Sequence, residues 1–262
     1  MPQHPERTAP IAIVTGASGG VGLEVARQLD AAGWQVHAQY RREARTDEVP
    51  GAHWFRADFA QSGTLPIDVP SRLDALVLCA GVARLGRLDA ATAADWQHAL
   101  HLNLLAPVAT TNQVLPALRA AGGHVVYLNS GAGIAAKAEW GTYCASKFAA
   151  RAWTDTLRQE EPGIRVTSIH PGRIDTQMQR GIVSQEGEEY CPSAYLTAES
   201  VATAAVQALK SSADAHPTEV VLRPGPIRQL PLTLRPAGEQ GTSTWEVAAD
   251  DYRAFPHLRL GA

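Results

Sequence analysis

Tyr143 and Lys147 are four residues apart in a segment predicted to be helical, so we expect both side chains on one helix face. A free tyrosine has a pKa of about 10 and is a reluctant base near neutral pH. A lysine ammonium near the phenol oxygen favours the phenolate, which makes the tyrosine a usable acid and base. The pair therefore predicts acid–base catalysis, in which the tyrosine gives a proton to a substrate oxygen or removes one.

Other residues around this pair each allow a chemical and a structural interpretation. Ser130 ends a predicted strand, where its hydroxyl would hold a substrate oxygen as charge develops, or would merely cap a loop. Asn103 lies in a predicted helix and could bond only to helix backbone, and Tyr143 could be a packed aromatic. Cys144 has no basic partner at helical spacing on its own face, which predicts an inert buried thiol. Taken together at these spacings, the residues favour a catalytic site.

Short apolar runs alternate with helical segments from residue 11 to about residue 224. Strands are predicted at Ile11–Thr15, Gln35–Tyr40, His53–Ala57, Leu73–Leu78, Gly123–Asn129, Val166–His170 and Glu219–Leu222. Helices are predicted at Gly20–Ala32, Ala93–Ala120, Thr142–Glu160 and Ala198–Leu209. Runs rich in Val, Ile and Leu are typical of parallel strands covered on both faces. The alternation predicts an α/β fold: a doubly wound, mostly parallel sheet of the Rossmann type in a single domain.

Two crossovers and both ends of the chain depart from this alternation. Residues 42–52 and 59–72 contain prolines and glycines that favour loops or single turns over helices. We expect a disordered tail at residues 1–9 and the Rossmann-type domain at residues 10–225. Residues 226–262 are rich in Pro and Arg and show no helical or strand period, which predicts an irregular C-terminal extension.

The first predicted strand runs through the sequence TGASGGVG directly into a helix. A pyrophosphate can approach the N–H groups at a helix N-terminus only where no Cβ intervenes, which glycines at 16, 20 and 22 allow. Ser18 could add a hydroxyl donor. The alternative is that the glycines only make a tight turn, but their place at the first βα turn favours nucleotide binding.

The end of the second strand indicates which nucleotide binds. An NAD site would have an Asp or Glu here for the ribose 2′-hydroxyl, whereas this chain has Tyr40, Arg41 and Arg42. A guanidinium can bind a 2′-phosphate through two hydrogen bonds, so the sequence predicts NADP(H) and an NADP-binding catalytic domain. The alternative is that the two arginines are only solvated charge.

These motifs together resemble the short-chain dehydrogenase/reductase family over nearly the whole of residues 10–224. The glycine loop Thr15–Gly22, the Tyr143-x-x-x-Lys147 pair and Ser130, thirteen residues before Tyr143, have the family's form and spacing. Asn103 resembles the family's helix asparagine. With six tyrosines and three lysines in the chain, random placement gives only about 0.07 Tyr-x-x-x-Lys pairs.

The resemblance implies an oxidoreductase that transfers a hydride between a nicotinamide coenzyme and a carbonyl or secondary alcohol. It also implies further roles for individual residues. Lys147 would also reach the nicotinamide ribose, and Asn103 would support a water that relays protons to Lys147. Asp58 resembles the acid that meets the adenine, and Pro171–Thr176 resembles the segment beside the nicotinamide. The residues expected to contact the coenzyme are Gly16, Ser18, Gly20, Val21, Gly22, Arg41, Arg42, Asp58, Phe59, Ala80, Gly81, Asn103, Tyr143, Lys147, Pro171, Gly172, Ile174 and Thr176.

The chain departs from the family's pattern in several places. Cys79 precedes Ala80-Gly81 where the family usually has asparagine, so an amide hydrogen-bonding group is lost. This puts a contact that stabilises the sheet in doubt more than it does catalysis. The last strand lacks the usual glycine-rich ending, and the C-terminal extension has no counterpart in the family.

The substrate is constrained only in class. Residues from Thr176 to about Leu196 occupy the position of the family's substrate lid, and the predicted pocket residues are Ile134, Trp140, Ile174 and Met178. Their apolar character favours an apolar or aromatic ketone, aldehyde or alcohol, unless they are merely core residues. The family often forms dimers or tetramers, so a homo-oligomer through the helix that carries Tyr143, with Phe148 on its surface, is expected.

Composition limits the partners. A net charge of −3 without charge blocks gives no footprint for nucleic acid or an anionic membrane, and no apolar run approaches the roughly 20 residues that span a bilayer. Three scattered cysteines predict neither a disulfide framework nor a metal site, and favour the cytoplasm. Two rival functions remain: another reaction such as epimerisation at the same site, or a catalytically silent NADPH-binding sensor or scaffold.

Overall fold

A computed structural model describes residues 9–212 and 214–225, together with the backbone of residues 235–236 and 245–246. Contacts divide the chain into two units, Met1–Pro224 and Gly225–Ala262. In the second unit, strand β10 (Arg235–Pro236) pairs antiparallel with strand β11 (Trp245–Glu246). The sequence predicts an irregular extension without strands there, so this short β-ladder differs from the prediction. The other residues of the predicted extension, beyond Gly225, lie outside the described residues, as do residues 1–8 of the predicted tail.

The first unit is built on a seven-stranded sheet in which every neighbouring pair is parallel. The strands are β1 Ile11–Thr15, β2 Gln35–Tyr40, β3 His53–Arg56, β4 Ala75–Leu78, β5 His124–Leu128, β6 Arg165–Pro171 and β9 Glu219–Leu222. Their spatial order is β3-β2-β1-β4-β5-β6-β9. The predicted strands agree with these bounds to within two residues, and the predicted α/β fold is confirmed.

Helices cover both faces of the sheet. They are α1 Gly20–Ala31, α2 Ala93–Leu100, α3 Ala106–Ala121, α4 Gly141–Glu160, α5 Gln177–Glu186 and α6 Ala198–Leu209. Helix α5 and a parallel two-strand pair, β7 Ile174–Asp175 with β8 Leu196–Thr197, were not predicted from the sequence. The crossovers at residues 42–52 and 59–72, both described in full, contain turns and no helix, as predicted. No described helix combines the length and the apolar character needed to cross a bilayer.

Alternate residues of the inner strands enter two separate hydrophobic clusters. Ala12 and Val14 of β1 pack with residues of α1 and α6, whereas Ile13 between them packs with residues of α3 and α4. All three are fully buried, as the period of two in a strand requires for a sheet covered on both sides. This double core fixes the carboxyl ends of the strands, where ligands bind in folds of this type.

The predicted helix Ala93–Ala120 contains a π-helical turn, His101–Leu105, between α2 and α3. In an α-helix the carbonyl of Asn103 would accept from the N–H of residue 107, but residue 107 is a proline and has no N–H. At this turn the N–H of Ala106 donates to the carbonyl of His101, five residues earlier. The wider turn and the proline leave the Asn103 carbonyl free to bond outside the helix.

Candidate active site

A cavity of about 200 Å³ opens at the carboxyl ends of β4, β5 and β6. Its lining includes Ser130, Tyr143 and Lys147, three residues that the sequence places in the site. The predicted pocket residues Trp140, Ile174 and Met178 also line it, together with Ile182 and Gln179 from α5. Ile134 ends the turn after β5, with its N–H donating to Gly131 O at 3.0 Å, and is not among the residues that line this cavity, so its contact with a substrate stays a prediction.

Tyr143 and Lys147 lie on the first two turns of α4, and both are almost fully buried. Lys147 Nζ is 5.9 Å from the centre of the Tyr143 ring. Burial raises the pKa of Tyr143, and the Ser130 hydroxyl opposes this rise. The sequence predicts a shift towards the phenolate, so burial outweighs the expected effect of the ammonium. Burial also lowers the pKa of Lys147 to about 7.

Ser130 follows β5 and caps a loop, which is one of the two roles that the sequence left open; its role towards a substrate oxygen stays a prediction. Its Oγ accepts from the N–H of Ala132 at 3.1 Å, which caps a short 3₁₀ turn, Gly131–Gly133. Asn129 Oδ1 accepts from the Ser130 N–H at 2.9 Å, and Asn129 Nδ2 donates to the carbonyl of Lys147 at 3.3 Å. Asn129 thus fixes the position of Ser130 relative to α4.

The Asn103 side chain connects three elements instead of bonding to its own helix. Its Nδ2 donates to Val82 O at 3.0 Å and to Ser146 Oγ at 2.9 Å, and its Oδ1 accepts from the Val82 N–H at 2.9 Å. A Cβ on Gly81 would lie 2.9 Å from Asn103 Oδ1. This close approach explains why a glycine is needed at position 81 beside the asparagine.

The glycine loop between β1 and α1 is shaped by its own backbone as well as by space for a ligand. Gly16 has a φ of 65°, and a Cβ on Gly22 would lie 2.3 Å from Gly16 O. The first turn of α1 has no side-chain cap at Gly19, so the loop presents N–H groups without a side-chain partner at the N-terminus of α1. These features fit a bound pyrophosphate.

The segment Pro171–Thr176 brings the cavity close to the glycine loop. A Cβ on Gly20 would lie 3.2 Å from Thr176 Cγ2, so any side chain at position 20 would narrow the gap between them. Thr176 caps α5 by accepting from the Gln179 N–H at 3.3 Å. The predicted coenzyme contacts at Pro171, Gly172, Ile174 and Thr176 all line the cavity.

The sequence model described as short chain dehydrogenase matches residues 10–187. The chain belongs to the short-chain dehydrogenase/reductase family. Members of this family are oxidoreductases that use nicotinamide coenzymes, and the resemblance found in the motifs is thereby confirmed.

Relatives of this short-chain dehydrogenase/reductase cover most of its length. An uncharacterized oxidoreductase of Staphylococcus epidermidis is 28% identical over 228 residues, which are 82% of this chain and 96% of that protein. An alcohol dehydrogenase from Thermococcus sibiricus complexed with 5-hydroxy-NADP superposes with a TM-score of 0.70 at 23% identity, over 82% of this chain and 97% of that one. A 3-oxoacyl-(acyl-carrier protein) reductase from Brucella melitensis in complex with NAD gives a TM-score of 0.69 at 23% identity, over 82% and 96%. The two solved structures show the fold alone.

At the adenosine end of this short-chain dehydrogenase/reductase, the predicted residues differ in exposure. Arg41 and Arg42 are exposed, and Asp58 accepts from the Ala60 N–H at 3.0 Å. The side chains of Val21 and Phe59 are buried in the two hydrophobic clusters, which leaves only their backbone for a coenzyme. Four of the predicted contact residues are partly accessible to solvent: Gly16, Ser18, Gly20 and Ala80. Gly22, the third glycine of the loop, is buried.

Cys79 occupies the position at which the family usually has asparagine. It lines the cavity, and burial raises the pKa of its thiol to about 12. Thr15 Oγ1 accepts from the N–H groups of Cys79 and Ala80 at 3.1 and 3.2 Å, which holds this segment to the end of β1. All three cysteines of the chain are free thiols.

Several residues of this short-chain dehydrogenase/reductase site were not found from the sequence. Gln39 accepts from the Gly16 N–H at 2.7 Å and donates to Ala57 O at 2.6 Å, which ties the glycine loop to β2 and to the end of β3. Tyr127 bonds to Lys147, and Gln179 is a buried polar residue on the cavity wall. A polar group in a strand predicted to be covered on both faces, as at Gln39 and Tyr127, was the available signal.

The lowered pKa of Lys147 predicts how stability depends on pH. The pKa is about 7 in the folded protein against 10.5 for an exposed lysine, so between these values the unfolded chain binds more protons at this residue and folding is favoured as the pH rises. We expect the unfolding free energy of the wild type, relative to Lys147→Met, to increase by more than about 1 kcal/mol from about pH 7 to about pH 10. Denaturant titrations measure it.

Lys210→Met is the matched control, since Lys210 is exposed at the end of α6 and its replacement should produce no such trend. A difference between wild type and Lys147→Met that is constant or decreases with pH would contradict the expected burial of an ionisable amine.

Proposed function

We propose that the protein is an NADP(H)-dependent oxidoreductase that transfers hydride between the coenzyme and a carbonyl or secondary alcohol. The observation that carries this proposal is the convergence of Ser130, Tyr143 and Lys147 on one cavity at the carboxyl edge of a parallel sheet. The same edge carries the glycine loop, between β1 and α1. Ligands of doubly wound sheets bind at this edge.

The residues of the chain supply binding and proton transfer. The coenzyme, when bound, supplies or accepts the hydride. Ser130 Oγ donates a hydrogen bond to the substrate oxygen, and the Tyr143 hydroxyl gives that oxygen its proton during reduction or removes it during oxidation. The Lys147 ammonium stabilises the phenolate left on Tyr143. The N–H groups at the start of α1 would hold the pyrophosphate, and the Pro171–Thr176 segment would contact the nicotinamide.

The cavity favours an apolar or aromatic ketone or aldehyde. Trp140, Met178 and Ile182 give it apolar walls. Besides Lys147, the charged residue in the lining is Arg173, which donates to Glu186 at 2.7 Å, so its charge is already paired. An apolar pocket with a few polar groups is typical of small-molecule sites. Epimerisation would use the same residues. The two reactions differ in coenzyme consumption, because carbonyl reduction oxidises NADPH and epimerisation leaves its amount unchanged.

The preference for NADP(H) over NAD(H) rests on the end of β2. Arg41 and Arg42 are exposed there, and the described residues at this end place no acidic side chain directly after β2. Arg45 lies beside the glycine loop, where its Nε donates to Ser18 O at 3.4 Å. Guanidinium groups at this position complement a 2′-phosphate.

A silent NADPH-binding sensor or scaffold is the rival function from another class. Loss of catalysis would remove the need for a buried Tyr143 and for a lysine whose burial is unfavourable. Both residues are nevertheless kept together in the cavity, which supports the enzyme.

Replacement of Tyr143 separates these functions. Tyr143→Phe keeps the ring but removes the proton, so we expect NADPH consumption with aliphatic, aromatic and quinone carbonyls to fall at least about a hundredfold. NADPH binding, measured by fluorescence titration, should change little and is the control for folding. Turnover that is equal in both proteins, or absent in the wild type, would contradict the proposed function.

Replacement of Arg41 tests the coenzyme preference. Arg41→Ala removes a cation expected at the 2′-phosphate, so the Kd of NADPH should rise about tenfold or more while that of NADH stays nearly constant. Calorimetry on both coenzymes measures the difference. Arg87→Ala is the control, because Arg87 is exposed and pairs with Asp89. Equal weakening of both coenzymes would contradict an NADP-binding role.

Assembly into a homo-oligomer is proposed through the outer face of α4. Phe148 is 40% exposed there, and Ala152 and Thr156 follow it at helical spacing on the exposed side. Leu105, in the π-helical turn, is 54% exposed. Exposed apolar surface of this kind marks contacts between protein chains.

Light scattering tests this assembly. We expect the wild type to have the mass of a dimer or tetramer, and Phe148→Lys to lower that mass because it introduces a charge into the contact. Leu88→Lys, at another exposed leucine, should leave the mass unchanged. A wild-type mass equal to one chain would contradict the proposal.

A further inference from the structure

The hydroxyl of Tyr127 lies between two residues of the site and bonds to both. Tyr127 is on β5 and is fully buried. Its Oη donates to the backbone carbonyl of Asn103 at 2.5 Å and accepts from Lys147 Nζ at 3.1 Å. The directions of these bonds are fixed, because a carbonyl only accepts and an ammonium only donates. The single phenol proton therefore points to Asn103, and a lone pair points to Lys147.

Pro107 makes this arrangement possible. The Asn103 carbonyl has no N–H to accept from at position 107, and the π-helical turn leaves it free to accept from Tyr127. A buried carbonyl without a partner is unfavourable, so the bond from Tyr127 satisfies both groups. The tyrosine hydroxyl is in turn held with its acceptor side towards Lys147.

We propose that Tyr127 is a positioning residue for proton transfer, which favours the ammonium form of the Lys147 side chain and directs it at the site by accepting its hydrogen bond. The inference rests on the proposed function, in which Lys147 stabilises the Tyr143 phenolate. Besides Tyr127, the carbonyl of Leu128 accepts from Lys147 Nζ, at 2.9 Å. These two acceptors, both on β5, hold the ammonium of Lys147 against that strand.

The other titratable groups around Lys147 do not supply a negative charge near neutral pH. Cys79, at the end of β4, is a neutral thiol because burial raises its pKa to about 12. His170 on β6 is neutral because burial lowers its pKa, and the neighbouring Glu219 carboxylate is paired with Arg151 at 2.7 Å. Tyr143, on the helix of Lys147 itself, has a raised pKa. Hydrogen-bond acceptors on β5 are therefore what favours the ammonium.

A purely structural role for Tyr127 makes a different prediction. The ring packs edge-on against Trp153, with centroids 5.9 Å apart, and Lys147 Nζ is 4.7 Å from the Tyr127 ring centre. Phenylalanine would keep these ring contacts. Only the two hydrogen bonds of the hydroxyl distinguish the proposed role from packing.

The test is Tyr127→Phe, followed by two measurements across pH. Without the hydroxyl, Lys147 should lose its proton at lower pH, and Tyr143 should then form its phenolate at higher pH. We expect the acid limb of kcat/KM for alcohol oxidation with NADP⁺ to move up by about one pH unit. The near-ultraviolet phenolate absorbance of the coenzyme-free protein, corrected with Tyr143→Phe, should move in the same direction.

Trp153→Phe is the matched control, because it disturbs the packing around the Tyr127 ring and keeps both hydrogen bonds; its pH profile should equal that of the wild type. Unchanged profiles in Tyr127→Phe, or a loss of rate that is equal at every pH, would overturn the inference. If the wild type turns over no carbonyl or alcohol, the proposed function fails, whereas the phenolate titration still decides the role of Tyr127.

Discussion

A lysine ammonium enclosed by protein must be hydrogen-bonded on the protein side, and the arrangement around the cavity follows from that constraint. Lys147 reaches from α4 to two oxygens of β5, one from a side chain and one from the backbone. Asn129 bonds back from the end of β5 to the backbone of Lys147. Helix and strand are thereby held in one register, and Tyr143 and Ser130, which belong to these same two elements, are brought to the cavity together.

Polar side chains perform a similar task along the whole carboxyl edge of the sheet. Thr15 holds the chain after β4, and Gln39 holds the glycine loop and the end of β3. Asn103 holds the loop after β4 against α4 through Ser146. These bonds join residues distant in sequence and so hold the backbone around the site in place. Such preorganisation reduces the ordering that binding and catalysis require.

The sequence predicted the features that depend on local pattern. Most of the seven strands follow from runs rich in Val, Ile and Leu, and the Tyr143–Lys147 pair follows from helical spacing. It did not predict the partners of Lys147, because Tyr127 lies twenty residues earlier and only the folded sheet brings them together. It also missed α5, most of whose residues are polar, and the rise in the pKa of Tyr143, because a pattern of residues does not measure desolvation. The exposure of Arg41 agrees with a surface turn, while its partner stays a proposal.

The missing N–H of Pro107 has a consequence for how this site can change during evolution. Because Pro107 has no N–H, the Asn103 carbonyl receives no hydrogen bond from position 107 of the helix, and Tyr127 on β5 donates to it instead. If an ordinary residue replaced the proline, helix and tyrosine would compete for one oxygen. If an apolar residue replaced the tyrosine alone, that oxygen would be left unbonded in the interior. The two positions are therefore expected to covary among close relatives, each substitution being tolerated best in the company of the other.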